Sequence, residues 1–241
     1  MLIAVLGHPL AAQAMHYPAR VAGARFIERV HSDVTAASGT AERHRVIDRQ
    51  AQYSTNLHGD TLVVSADSIR LDETADGARR NVDVDAVIGG RWKLLAGAGN
   101  TMRAVDAPFV PGDVADVSDL GAAMDDFFPS APPPLAPGGR LADSVRGDWR
   151  RLADSAHLAR YRWTARRRAD STSIGADSVL VHASTDARED GEMAWSPALG
   201  PLAWTRRIVT GVTSHFAGRD VRAMVDQRIV VVRVTAATQP Q

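Results

Sequence analysis

The chain has 241 residues, of which 45% are hydrophobic and 23% charged, and its 28 basic residues balance its 28 acidic ones. A chain of this length can bury roughly 70 to 75% of its unfolded surface, so it needs no metal or crosslink to fold. Because no overall field favours nucleic acid, we expect no nucleic-acid partner. The absence of cysteine excludes disulfides, thiolate catalysis and Cys-based metal sites.

Residues 1–14, MLIAVLGHPLAAQA, form a short apolar run that ends in an A-x-A pattern at 12–14. Such a run is typical of the end of a secretion signal, and it predicts a soluble periplasmic or secreted bacterial protein that starts near Met15. The alternative is an N-terminal β-strand, which Pro9 disfavours. No stretch supplies the roughly 20 apolar residues of a membrane-spanning helix, so we expect no transmembrane segment.

The first half of the chain, residues 15–128, alternates apolar and polar residues with the period of two that is typical of half-buried strands. The pattern predicts strands at 24–34, 45–57, 62–71, 82–88, 91–95 and 101–105. Residues 116–128 instead have helical spacing, because one stripe carries four apolar side chains, those of Val117, Leu120, Met124 and Phe127. We therefore predict an antiparallel β half that ends in one short amphipathic helix.

Residues 129–151 form a seam in which five prolines and three glycines interrupt regular structure. Beyond it, residues 152–241 form a second β half, which we expect to pack with the first. Alternation there predicts strands at 161–168, 179–183, 201–216 and 221–234.

The strand at 201–216 would be roughly 50 Å long at about 3.3 Å per residue, so we expect it to be bent or bulged at Gly211. A phase shift predicts a second irregularity near Gln227. Long, curved strands let a sheet wrap round a volume. The predicted fold class is mainly β, with curved antiparallel sheets that form a half-barrel or two similar halves, and one short helix.

The candidate ligand-binding residues are aromatic residues from both halves of the chain and arginines of the strand at 161–168. Alternation in that strand places aromatic side chains on one face and arginines on the other. The aromatic residues of the chain would suit an apolar pocket wall, or they fill the core. The arginines would bind a phosphate or lipid headgroup, or they form a solvated face that discourages edge pairing. The candidate set is Trp92, Trp149, Tyr161, Trp163, Trp204, Arg162 and Arg166.

Motifs for catalysis or cofactor binding are missing from the sequence. The eight histidines have no H-x-x-x-H or H-E-x-x-H spacing, no serine stands in G-x-S-x-G, and no glycine run continues into G-K-[ST]. The acidic pair Asp83 and Asp85 lies on one solvent face, and the adjacent Asp125 and Asp126 cannot converge as a glycosidase pair would. We therefore expect no enzymatic activity, no metal and no cofactor.

The layout around the seam resembles a group of uncharacterised exported bacterial proteins. In these proteins a signal peptide and a β-rich half precede a Pro-rich segment, a Gly-Asp-x-Trp-like element and a second β-rich half. The matching residues here are Phe128-Pro129, Pro132-Pro133-Pro134, Gly138-Gly139 and Gly147-Asp148-Trp149. The last departs from the pattern, because Trp149 follows the aspartate directly. The resemblance implies location and architecture only, since these proteins have no assigned activity.

The order of strands, one helix and more strands is also similar, more weakly, to periplasmic lipoprotein carriers of the LolA and LprG type. Their curved sheet holds acyl chains. The leading hypothesis is therefore non-enzymatic binding of an apolar or amphipathic, lipid-like ligand in the cell envelope. The alternative is an envelope interaction or scaffold protein that acts through a sheet edge or the Pro-rich seam, with a protein partner that the sequence does not identify.

Overall fold

A single, curved and unclosed antiparallel sheet of 12 strands makes up most of the protein. The computed structural model describes residues 17–97, 101–125, 127–143, 147–155, 158–174, 180–216 and 219–234. The fold class predicted from alternation is thereby confirmed. The predicted secretion signal at 1–14 lies outside the described residues.

The strands of the first half are β1 (Arg25–Ser38), β2 (Ala41–His58), β3 (Thr61–Ala75), β4 (Ala78–Val82), β5 (Arg91–Ala96) and β6 (Met102–Asp106). The segment 129–151, expected to interrupt regular structure, contains β7 (Arg140–Asp143) and β8 (Gly147–Arg151). The second half contains β9 (Ala159–Ile174), β10 (Leu180–Ser196), β11 (Gly200–Phe216) and β12 (Arg219–Val234). Two short α-helices, α1 (Tyr17–Val21) and α2 (Gly112–Ala115), and a 3-10 turn at Asp85–Val87 complete the regular structure.

The order of strands across the sheet is β6-β5-β3-β2-β1-β12-β11-β10-β9-β8-β7, with β4 beside the end of β3. The first and last long strands are therefore neighbours, and they pair from Arg25 opposite Val234 to Ser38 opposite Val221. This pairing joins the two halves of the chain into one sheet.

Local predictions failed at three places: the helix at 116–128, the strand at 82–88 and the bulge near Gln227. Residues 116–125 form turns instead of the predicted helix, and α2 lies just before them. The apolar stripe predicted there is nonetheless buried, because short turns bring the same side chains onto the sheet. The predicted strand at 82–88 gives way to the 3-10 turn. Strand β11 passes Gly211 without a register shift, and β12 passes Gln227 likewise.

Register shifts lie elsewhere, between Gln52 and Tyr53, between Lys93 and Leu94 and between Ala194 and Trp195. A bulge adds a residue to one strand and bends it. The shifts in the β2–β3 and β10–β11 pairs therefore mark bends in long strands.

One face of the sheet, here called the inner face, carries the core. The crossing segment, residues 107–125 and 127–139, packs against it with Phe127 and Phe128 buried. The ring of Phe127 lies edge-on to Phe26, Tyr53 and Trp204 at centroid distances of 5.9, 5.2 and 5.5 Å. Edge-to-face contacts of this kind stabilise an aromatic core beyond the area that they bury.

Candidate functional site

The crossing segment covers only one end of the inner face. Beyond it, four strands present half-buried side chains at alternate positions: residues 34 and 36 of β1, 181–187 of β10, 210–214 of β11 and 221–225 of β12. Nine of these twelve side chains are Ala or Val and the other three are Ser or Thr. We call this surface the open wall, because its side chains are only half-buried, in contrast to the buried side chains beneath the crossing segment.

The open wall is about 15 Å across and about 20 Å long, from the usual spacing of strands and residues. Along most of β10 and β12, inner-face side chains are less exposed than their outer-face neighbours, whereas residues 33–37 of β1 and 208–212 of β11 are half-buried on both faces. The sheet is curved. The patch thus measures about 300 Å², which is within the usual range of the largest apolar patch on a monomeric protein.

A row of paired charges, here called the polar belt, runs across the inner face between the core and the open wall. On one side Arg49 donates to both oxygens of the buried Glu28 at 3.1 Å each. On the other, Arg206 and the indole N–H of Trp163 both donate to Glu189 at 2.8 Å.

The middle of the belt is formed by a hydrogen bond of 3.1 Å from the Gln227 amide to the Ser32 hydroxyl. At the β3 side, Glu73 pairs with Arg80 at 2.5 Å and with Arg45 at 3.4 Å. At the β9 side, the exposed Arg167 guanidinium lies 4.0 Å from Glu189. The apolar wall is thus bordered by guanidinium groups at both sides.

The charged form of the Glu189 carboxyl is stabilised by its partners. Burial alone would raise the pKa of the Glu189 carboxyl, but the Arg206 charge and hydrogen bonds from Arg206 and Trp163 lower it below its ordinary value. Burial raises the pKa of Tyr53 well above its usual range, so its hydroxyl stays a neutral donor to Glu28 at 3.2 Å. Fixed hydrogen-bond donors thus hold the carboxylates of Glu28 and Glu189 in place.

The five aromatic residues predicted to contact ligand lie in the packed core, none more than 5% exposed. Trp204 contacts the two phenylalanines of the crossing segment, Trp149 stacks on Trp163, and the Trp92 indole donates to the carbonyl oxygen of Gly121 at 3.1 Å. These aromatic side chains belong to the packed part of the inner face and not to the open wall. Direct contact with a ligand stays a prediction, since it would require displacement of the crossing segment.

The two predicted arginines lie on the outer face, away from these aromatics. Arg162 donates to Glu192 from both Nε and Nη2, and Arg166 donates to Asp186 at 2.9 and 2.5 Å. Both ion pairs are solvent-exposed. A role in ligand binding is therefore not supported by their position, and it too stays a prediction.

Two grooves of about 440 and 460 Å³ lie on the outer face and share Arg228 and Val230. Most of the residues that line them have charged side chains. Among the described residues, no three His, Asp or Glu side chains lie together as metal ligands, and no helix is long and apolar enough to span a membrane.

Sequence reasoning missed the polar belt. Arg206 follows Trp204 by two positions, and Arg167 follows Trp163 by four, so each arginine points to the same face of its strand as the buried tryptophan. A charged residue at such a position indicates an ion pair on the inner face. Its partner Glu189 lies on a third strand, and only the register of the sheet identifies it.

No protein-family model and no curated protein matches the chain. Among solved structures, the chain is similar to one that describes lipid–protein interactions in lipovitellin, with a TM-score of 0.53 and 12% identity. The match covers 91% of this chain but 26% of the lipovitellin chain, so this chain spans about a quarter of that protein. Pseudomonas aeruginosa OccK11 (OpdR) matches over 88% of this chain at 8% identity, with a TM-score of 0.23 that carries no argument. The lipovitellin likeness shows a shared fold.

Proposed function

We propose that the open wall binds an apolar or amphipathic, lipid-like molecule, and that the protein acts by binding rather than by catalysis. The observation that carries this proposal is the wall itself, an apolar surface of small, half-buried side chains on one face of a curved sheet. Small side chains leave depth for a ligand chain, and each buried CH₂ of that chain contributes about 0.8 kcal/mol.

The polar belt gives the ligand an orientation. An apolar chain lies on the wall, and a polar or anionic end group meets the belt, where the exposed Arg167 and the half-buried Arg45 carry guanidinium groups. The fold likeness to lipovitellin, whose matched structure concerns lipid–protein interactions, supports the same reading by analogy.

A location outside the cytoplasm, in the cell envelope, is proposed from residues 1–14 and from the resemblance to exported bacterial proteins and lipoprotein carriers. Its test is the mass of the protein after expression in a bacterium with residues 1–14 present. A mature chain that starts near Met15 supports export. An intact chain retained in the cytoplasm contradicts it.

The ligand proposal is tested by native mass spectrometry of the purified protein and by titration with a fluorescent fatty acid. Val212→Asp places a carboxylate on the wall, and Val230→Asp places one on the outer face of the neighbouring strand, where Val230 is 41% exposed. We expect Val212→Asp to weaken binding roughly 10- to 100-fold, since it removes a buried Val contact and desolvates a charge. Val230→Asp should bind as the unaltered protein does.

Absence of fatty-acid binding by the unaltered protein would refute the proposal. Equal binding by the two variants would also refute it, because the ligand would then lie elsewhere. Val212→Asp should retain the unaltered β signal in circular dichroism, since its site is only half-buried and uncovered.

The alternative function, interaction through a sheet edge, has its own supporting observation. Strand β9 is paired with β8 only at residues 161–164, so its later residues form an open edge in the described part of the chain. The Pro-rich seam is a poorer interaction surface, because Pro129 and Pro133 are buried in the crossing segment.

A further inference from the structure

The open edge of β9 is the longest run of unpaired backbone among the long strands that the structure describes. On one side β9 pairs with β10 along its whole length, without a register shift. On the other, pairing with β8 stops at Thr164, and every side chain from 166 to 172 is exposed. An edge of this length is a template on which another strand can pair.

The direction of the backbone groups along this edge follows from one hydrogen bond. Leu152 N–H donates to the carbonyl oxygen of Arg160 at 2.8 Å, so Arg160 points towards the β8 side. Successive residues of a strand point to opposite sides, and no bulge interrupts β9. The even-numbered residues 166, 168, 170 and 172 therefore present their N–H and C=O groups to the open edge.

The side chains along the edge have an uneven charge. Residues 166–168 are all arginine, and residues 170–172 are Asp, Ser and Thr, with Ala169 between them. Arginines on an edge usually oppose pairing. Here they lie on one side of Ala169 and the acid on the other, so an antiparallel copy of the same strand brings unlike groups together.

We propose that two copies of this chain pair antiparallel through β9, about a twofold axis at Ala169. Arg168 of each copy then lies opposite Asp170 of the other, and Arg166 lies opposite Thr172. Each of these even-numbered pairs exchanges two backbone hydrogen bonds, as the directions of the groups require. The interface is isologous, which is the commonest symmetry of protein dimers.

The neighbouring registers bring like charges directly opposite each other. Moving the axis to residue 168 places Arg168 opposite Arg168, although Arg166 then lies opposite Asp170, and moving it to residue 170 places Asp170 opposite Asp170. Like charges directly opposite each other destabilise a strand pair. With the axis at Ala169, the odd-numbered side chains of both copies lie on the same face, so the two inner faces become one continuous surface.

The chain contains no cysteine, which makes crosslinking a direct test. Ala169 is a non-hydrogen-bonded position at the axis, where the two Cα atoms lie about 4.5 Å apart, within the range of a disulfide. Ala169→Cys should therefore give a covalent dimer on mild oxidation. The control Ser171→Cys lies on the same edge and face, but its two thiols are offset by four residues, about 13 Å, and should not crosslink.

A second test measures the dimer itself by analytical ultracentrifugation of the full chain. The unaltered protein should sediment as a dimer, and Asp170→Arg should weaken dimerisation by about tenfold or more, since the new guanidinium lies opposite Arg168 in both halves of the interface. Asp60→Arg, in the turn between β2 and β3, is a control of the same charge change away from β9 and should leave the dimer intact.

The proposal fails if the unaltered protein is monomeric at 100 μM, roughly the upper concentration of such runs and well above typical Kd values of stable dimers. It also fails if Ser171→Cys crosslinks as readily as Ala169→Cys, or if Asp170→Arg and Asp60→Arg dimerise equally. Failure here leaves the lipid-binding proposal intact, because the open wall lies within one copy.

Discussion

The buried pair of Glu28 and Arg49 gives the sharpest test of the inner face, through the substitution Arg49→Met. The two side chains are 2% and 8% exposed, and Arg49 donates to both carboxylate oxygens and to the Ser118 hydroxyl at 3.3 Å. The substitution leaves the Glu28 carboxylate buried with the Tyr53 hydroxyl as its remaining donor. Removal of one partner of a buried ion pair costs about 3 to 5 kcal/mol.

For a chain of this size, a loss of that magnitude lowers Tm by roughly 6 to 20 °C. We expect the free energy of unfolding, measured by urea titration, to fall accordingly. The double variant Glu28→Met with Arg49→Met should recover much of the loss, because it removes the unpaired charge and fills the space with apolar side chains. The two single variants and the double variant form a double-mutant cycle, and the coupling energy from that cycle measures the interaction between Glu28 and Arg49.

Arg166→Met is the matched control for this experiment, since it removes the arginine of a similarly bidentate pair whose partners are exposed. Exposed ion pairs contribute about 0 to 1 kcal/mol, so its effect should be small. If Arg49→Met costs no more than Arg166→Met, then Glu28 is not a buried, charged carboxylate, and the argument for a fixed polar belt is wrong.

Two further predictions concern the sheet around this belt. Gly191→Ala should destabilise the protein by about 1 to 3 kcal/mol in urea unfolding, because the new Cβ would lie 2.1 Å from the Trp163 ring. The control Gly211→Ala, whose nearest contact lies at 4.0 Å, should be nearly neutral. Equal effects of the two substitutions would show that Trp163 does not pack on Gly191. The hydrogen bond from Arg166 lowers the pKa of Asp186 to about 2. The stabilisation that this ion pair gives is therefore present above the unfolded pKa of 3.8 and is lost as pH falls from 3.8 through 2. Tm of the unaltered protein should thus fall more steeply over this window than Tm of Asp186→Asn, and parallel curves would contradict the pairing.

Strands and their faces could be predicted from the sequence, because a side-chain period of two is a local property. The alternation of Tyr161 and Trp163 with Arg162 correctly separated a buried face from a charged one. The turns at 116–125 could not be recognised, since Val117, Leu120 and Met124 would be buried at much the same spacing in a helix.

The candidate site was only partly predictable. Curvature and an apolar concavity were expected, but the aromatic residues chosen to line it, such as Trp204, lie beneath the crossing segment. The small side chains of the open wall carry no signal of their own, because Ala, Val and Thr at alternate positions are ordinary in any strand. Exposure of one part of a face depends on where a distant segment crosses it.

By itself, the sequence determined that this chain is a β protein with one apolar and one charged face, because those features depend on neighbours within a few residues. Only the tertiary structure decided that β1 pairs with β12, which brings Ser32 and Gln227 together across 195 residues of chain. It alone decided which end of the inner face stays open and which edge of β9 is unpaired. Long-range pairing is selected by the total burial and hydrogen bonding of the whole sheet, and no local pattern contains that sum.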